Sequence, residues 1–166
     1  MFDEQTITQN ALHAWKRHHA MTYSFLDQLT EEQLQVSLPR EGLTTFAKHF
    51  EEMRDVQDSY AEAFQTGKLD FTRLAKAPPY TGKATKAELR AAYERSDRAI
   101  EDGLHSCPSD RVIDIFGMAG SRGDLIQTLL HHELFHQGQF FIFAHGMKMN
   151  VPKDWRDFWW MPKLFP

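Results

Sequence analysis

The sequence lacks the features that would tie it to an oxidising compartment, a membrane or a polyanion. Cys107 is the only cysteine in 166 residues, so no intrachain disulfide can form, and a chain of this length can bury a core without one. No apolar run approaches the ~20 residues that a membrane-spanning helix requires. Met1-Phe2-Asp3-Glu4-Gln5 is acidic and polar, where a secretory signal needs positive charge and then an apolar stretch. Basic excess is missing too. The 19 Lys and Arg stand against 23 Asp and Glu, a formal net charge of −4, which gives no bulk attraction to nucleic-acid phosphates or anionic lipid. These absences imply a cytoplasmic protein whose partners include neither nucleic acid nor membrane. With 42% hydrophobic and 25% charged residues, the composition excludes a disordered chain and suits one domain over residues 1–166.

Glycine and proline are absent from Asp3 to about Gln35, and the pattern there is helical. Leu12, Trp15, His19, Thr22, Leu26 and Leu29 alternate spacings of three and four, which makes one stripe on a helix. Thr30-Glu31-Glu32-Gln33 forms a capping box that restarts a short turn, and Pro39 and Gly42 break the chain. A second helix is expected from Thr44 or Thr45 to Gln65, with Gly67 as its C-cap. Its stripe is Phe46, His49, Met53, Val56, Tyr60 and Ala63. Residues 67–84 carry Gly67, Pro78-Pro79 and Gly82 and are expected to be a loop. Thr85-Lys86-Ala87-Glu88 is a capping box for a third helix, whose stripe is Leu89, Tyr93, Ser96, Ile100 and Leu104. Val112 to Phe116 is short and β-branched. Since nothing else offers it a strand partner, it is expected to be an extended connection.

Ser121 has N-cap character and opens a fourth helix, expected to run to about Gly146, with Leu125, Leu129, His132, His136, Gln139 and Phe143 on its stripe. The tail holds Trp155, Phe158, Trp159 and Trp160, which suit a short aromatic helix capping the bundle, or else a dimer surface or pocket wall. Four amphipathic helices without a sheet predict an all-α four-helix bundle with a short C-terminal Trp-rich helix or cap.

Nine histidines make some coincidence with helix faces inevitable. His19 reads as a buried core residue with a polar partner, His13, His18 and His105 as solvent-facing, and His145 as a helix-end residue meeting the dipole. His132 and His136 differ, because two imidazoles one turn apart on one stripe leave several ring nitrogens needing partners, at ~1–3 kcal/mol for each left unpaired. A bound metal removes that cost. His49, inward on a neighbouring helix, supplies a third candidate ligand, and three neutral imidazoles leave open positions, as catalytic sites do. His131 is the rival ligand, but it lies ~100° around the helix from His132.

His132-Glu133-Leu134-Phe135-His136 also spells the His-Glu-x-x-His pattern of zinc peptidases, in which Glu133 would be the general base. No Glu follows Glu133, Ile142 stands where a downstream His would be, and Gly138 comes one position early for the extended form. A peptidase is therefore the weakest of the alternatives.

Trp15 ahead of Leu26-x-x-Leu29-Thr30-Glu31-Glu32, His49 in Thr45-Phe46-Ala47-Lys48-His49, and His132-x-x-x-His136-Gln137-Gly138-Gln139 together resemble the DinB family of bacterial four-helix proteins, grouped with YfiT-like metal-dependent hydrolases. The resemblance spans essentially the whole chain and is most specific in the fourth helix. It departs at Gln137, where a basic residue is frequent, and in the Trp-rich tail. It implies a divalent metal, zinc, nickel or similar, held by His49, His132 and His136. It further implies a thiol S-transferase using a low-molecular-weight thiol cosubstrate, or a hydrolase, acting on a small molecule. The expected chemistry is a nucleophile, water or thiol, activated at the metal, with Glu133 confined to orienting an imidazole. The alternative is a non-catalytic metal- or small-ligand-binding bundle of the stress-response kind, and either form is compatible with a homodimer.

Overall fold

A computed structural model describes residues 3–159. Four long helices form the frame: α1 (Glu4–Gln28), α3 (Phe46–Thr66), α5 (Lys86–Ser106) and α6 (Arg122–Gly146). Between α1 and α3 lies the single turn α2 (Glu31–Leu34), and α7 (Lys153–Phe158) follows α6. The chain is an all-α bundle in which α1 and α3 each pack against both α5 and α6.

Local chemistry sets the helix ends. Thr30 and Gln33 close the capping box that opens α2, Thr85 and Glu88 the one that opens α5, and Ser121 with Asp124 does the same for α6. Thr45 caps α3 by accepting the Lys48 N–H, and Gly67 ends it at φ 77°, a left-handed conformation in which a Cβ would be strained.

The long connection after α3 is more structured than a loop. It contains β1 (Lys68–Leu69) and the short helix α4 (Thr72–Lys76). The expected extended segment near Val112 is a strand, β2 (Ile113–Ile115), paired antiparallel with β3 (Met118–Gly120) and parallel with β1. Ile113 faces Gly120, Ile115 faces Met118, and Leu69 also pairs with Ile115. The partners escaped sequence reading because neither Lys68-Leu69 nor Met118-Ala119-Gly120 has strand composition. The turn between β2 and β3 is Phe116-Gly117, both at positive φ, instead of the Asn-Gly that usually signals a tight hairpin.

The apolar stripes meet in two clusters. One gathers Phe25, Phe46, Phe50, Phe140 and Trp155; the other gathers Trp15, Phe64, Ile100, Ile126 and Leu129. Each such side chain contributes about 1.5–3 kcal/mol on burial. The C-terminal helix is a cap, as expected: Trp155 is fully buried, its indole N–H donates to the Met21 carbonyl at 2.6 Å, and Phe158 packs edge-on to His18. Trp160 lies outside the described residues. No helix among the described residues is long and apolar enough to cross a membrane.

Candidate metal centre

Side chains of α3 and α6 converge where the two helices pack. On α6, His132 and His136 stand one turn apart with their Nε2 atoms 3.2 Å from each other. Glu52 of α3 faces both: one carboxylate oxygen is 2.9 Å from His136 Nε2, the other 3.5 Å from His132 Nε2. His49, one turn before Glu52, meets the opposite edge of the His136 ring, Nδ1 to Nδ1 at 3.0 Å. The expected histidines thus come together, and Glu52 stands beside the two Nε2 atoms on the side that His49 does not reach.

The donor spacing is that of a divalent-cation site. One donor atom each from Glu52, His132 and His136 lie within 4.8 Å of one another. Donors around a tetrahedral ion at the ~2.0–2.2 Å bond lengths usual for zinc are about 3.3–3.6 Å apart, close to the separations seen. The protonation states suit it as well. Burial lowers the basicity of His49 to a pKa of about 3, helped by repulsion from His136 and Arg40. Burial also lowers His136, against the pull of Glu52. Burial would raise the Glu52 carboxyl, but hydrogen bonds and charge from His132 and His136 outweigh it and bring it to about 2. A neutral imidazole and an ionised carboxylate are the forms that ligate metal. Glu52 Oε2 is buried with His136 Nε2 as its near neighbour at 2.9 Å, and a cation between carboxylate and imidazole would satisfy both. The residues fit a cation.

Glu133 points elsewhere. It lies one residue past His132, on the face of α6 turned to α1, and is buried. Its carboxylate lies 3.0 and 3.2 Å from His19 Nδ1 and accepts from the Thr22 hydroxyl. The other nitrogen of His19 is 2.8 Å from Asp97 of α5. Burial works against a charged His19 ring, yet the two carboxylates hold its pKa at about 10. His19 also stacks on Trp15, with centroids 4.9 Å apart, and lies beside Tyr93, so the ion network sits where the two apolar clusters meet. Glu133, expected to orient an imidazole of the metal site, instead holds the imidazole of His19. In this geometry it is no general base for the His132–His136 cluster.

Other histidines fall as follows. His13, His105, His131 and His145 are exposed, whereas His18 is buried, contrary to expectation, because Phe158 and Gln137 cover it. Gln137 itself is buried, its amide donating to the His18 carbonyl at 2.7 Å and to Thr22 at 3.1 Å. Glu52 is the site residue that sequence reading missed. The available signal was its spacing of three from His49, which places a second ligand-type side chain one turn along the same helix.

Fold and site define a four-helix bundle with a histidine–carboxylate cluster, able to hold a cation, between two of its helices. A profile of the DinB superfamily matches residues 14–140, and the chain belongs to that superfamily. No curated protein shows significant similarity to it.

Proposed function

We propose that this DinB-superfamily chain is a metal-dependent enzyme acting on a small molecule, either a thiol S-transferase with a low-molecular-weight thiol cosubstrate or a hydrolase. The observation that carries the reading is the convergence of His132 Nε2, His136 Nε2 and the ionised Glu52 carboxylate on one point. These three residues would hold a divalent cation such as zinc or nickel, which supplies a Lewis acid able to make a thiol or water nucleophilic near neutral pH. His49 sits against the second nitrogen of His136 and fixes that ring so that Nε2 keeps its lone pair directed at the cluster. Phe140 and Phe143, stacked edge-on around His49, keep water from its far side. Partial exposure of His132 and Glu52 leaves an approach for substrate. The cytoplasm is the proposed location, and a homodimer is compatible with the bundle.

The ligand set inferred from sequence alone, His49 with His132 and His136, differs from this one by a single residue. Elemental analysis of purified protein and of single alanine variants separates the two. Loss of metal in Glu52→Ala with retention in His49→Ala supports the carboxylate set, and the reverse supports the three-histidine set. Absence of metal from the wild type after loading with zinc, nickel and cobalt overturns both. A screen of electrophiles with and without thiols then divides transferase from hydrolase, and a metal-loaded protein silent in both is a binding module.

A further inference from the structure

Arg40 lies in the segment between α2 and α3. We propose that Arg40 recognises a carboxylate on the small molecule that binds at the metal centre. This rests on the metal reading above and narrows its substrate class to organic acids.

Arg40 donates from Nη1 to Oε1 of Gln139. Gln139 is three residues beyond His136 on the stripe that carries both histidines. The guanidinium also lies over the exposed ring of Phe135, at 5.6 Å from its centroid. Both partners are neutral. Arg54, Arg73, Arg90 and Arg122 are each matched by an Asp or Glu; Arg40 belongs with Arg17, Arg95, Arg98, Arg111 and Arg156, which have no carboxylate within ion-pair distance among the described residues, and it is the one of these held by Gln139, three residues from His136. Phe135 in turn lies edge-on to the His136 ring, centroids 5.6 Å apart, which places the guanidinium beside the cluster.

A fixed cation so near a metal centre opposes metal binding unless an anion lies between the two. Gln139 and Phe135 hold the guanidinium but use only part of its five-donor fork, so the remaining N–H groups are free to grip a planar carboxylate. One guanidinium matches one negative charge, whereas a phosphate dianion would call for further donors. The rise from His136 to Gln139 is ~4.5 Å along the helix.

The test compares 3-mercaptopropionate with its neutral amide by isothermal titration of the full chain, both metal-free and cobalt-loaded. Wild type should bind the acid about tenfold more tightly than the amide, the usual worth of a charge-assisted contact of this kind. In Arg40→Met, whose apolar stem still covers Phe135, that preference should vanish while amide affinity, cobalt content and melting temperature stay unchanged. Arg40→Lys should restore part of it. Equal affinity for acid and amide in the wild type, or a preference that survives Arg40→Met, overturns the assignment. Stronger competition by inorganic phosphate than by acetate overturns the choice of carboxylate. Failure to take up cobalt is read separately by elemental analysis and sinks the metal reading alone, because the acid–amide comparison on metal-free protein still decides for or against Arg40.

Discussion

Glu133→Gln separates the structural use of the His-Glu-x-x-His stretch from a chemical one. The side chain is 3% exposed and the replacement is nearly isosteric, so no cavity opens. What changes is that the His19 imidazolium keeps only Asp97, at 2.8 Å, while a neutral amide takes the place of the carboxylate at its other nitrogen. Removing one partner of a buried ion pair costs about 3–5 kcal/mol. Because Asp97 remains and the glutamine carbonyl still accepts a hydrogen bond, about 2–3 kcal/mol is expected here. For a chain of this length that lowers Tm by roughly 4–12 °C. Urea unfolding followed by far-ultraviolet circular dichroism reads the loss at constant m-value, and metal content should be that of the wild type. A second signature lies in pH. His19 holds its proton in the folded state to about 10, against about 6.5 in an unfolded chain. Its contribution is therefore complete below about pH 6.5 and declines as pH rises toward 10. With one carboxylate gone, that decline should shift to lower pH. A variant as stable as wild type within about 0.5 kcal/mol, yet devoid of metal or activity, would refute the structural assignment.

Other outcomes follow from single contacts. His136→Ala should abolish metal binding, whereas His49→Ala should weaken it about 10- to 100-fold, the range for a residue that orients a ligand; competition with a chromophoric chelator measures both. Trp155→Ala should cost about 3–5 kcal/mol in chemical denaturation, since the indole is fully buried and bonds to Met21, and a loss below about 1 kcal/mol would mean that α7 is not part of the cooperative unit. Phe116, at φ 55° and mostly exposed, is an unsuitable residue for its turn. Phe116→Asn should stabilise by about 0.5–1 kcal/mol in the same assay.

The helices were legible because their signals are local. Capping boxes at Thr30 and Thr85, the N-cap at Ser121 and the stop at Gly67 depend on neighbours within four residues, and all appear in the structure. The three-stranded sheet was not, because β1 and β2 are brought together by the packing of α3 and α5 and by no strand pattern of their own. At the site, His132 and His136 were visible as a pair on one helix. Glu52 was hidden because a carboxylate beside the apolar stripe, next to Met53, reads as a solvated residue until the facing helix is known. The fate of Glu133 was equally non-local: its offset from the ligand stripe could be counted, but that His19 and Thr22 of α1 would meet it depended on which helices became neighbours.

Adjacent residues of α6 serve two different neighbours: His132 and His136 face α3, and Glu133 and Gln137 face α1. An α-helix turns ~100° per residue, so the length of α6 ahead of this stretch is fixed by more than packing. Deleting one residue between Ser121 and His131 would bring Glu133 and Gln137 round to α3 and set Leu134 and Gly138 against His19 and Thr22, losing the metal cluster and the ion network together. Inserting one would put His131 and Phe135 toward α3 and leave an imidazole facing that of His19. Only changes near seven residues, about two full turns, would keep both faces in place. Variation in length is thus confined to the loops, and the front half of α6 acts as a spacer whose residue count is itself constrained.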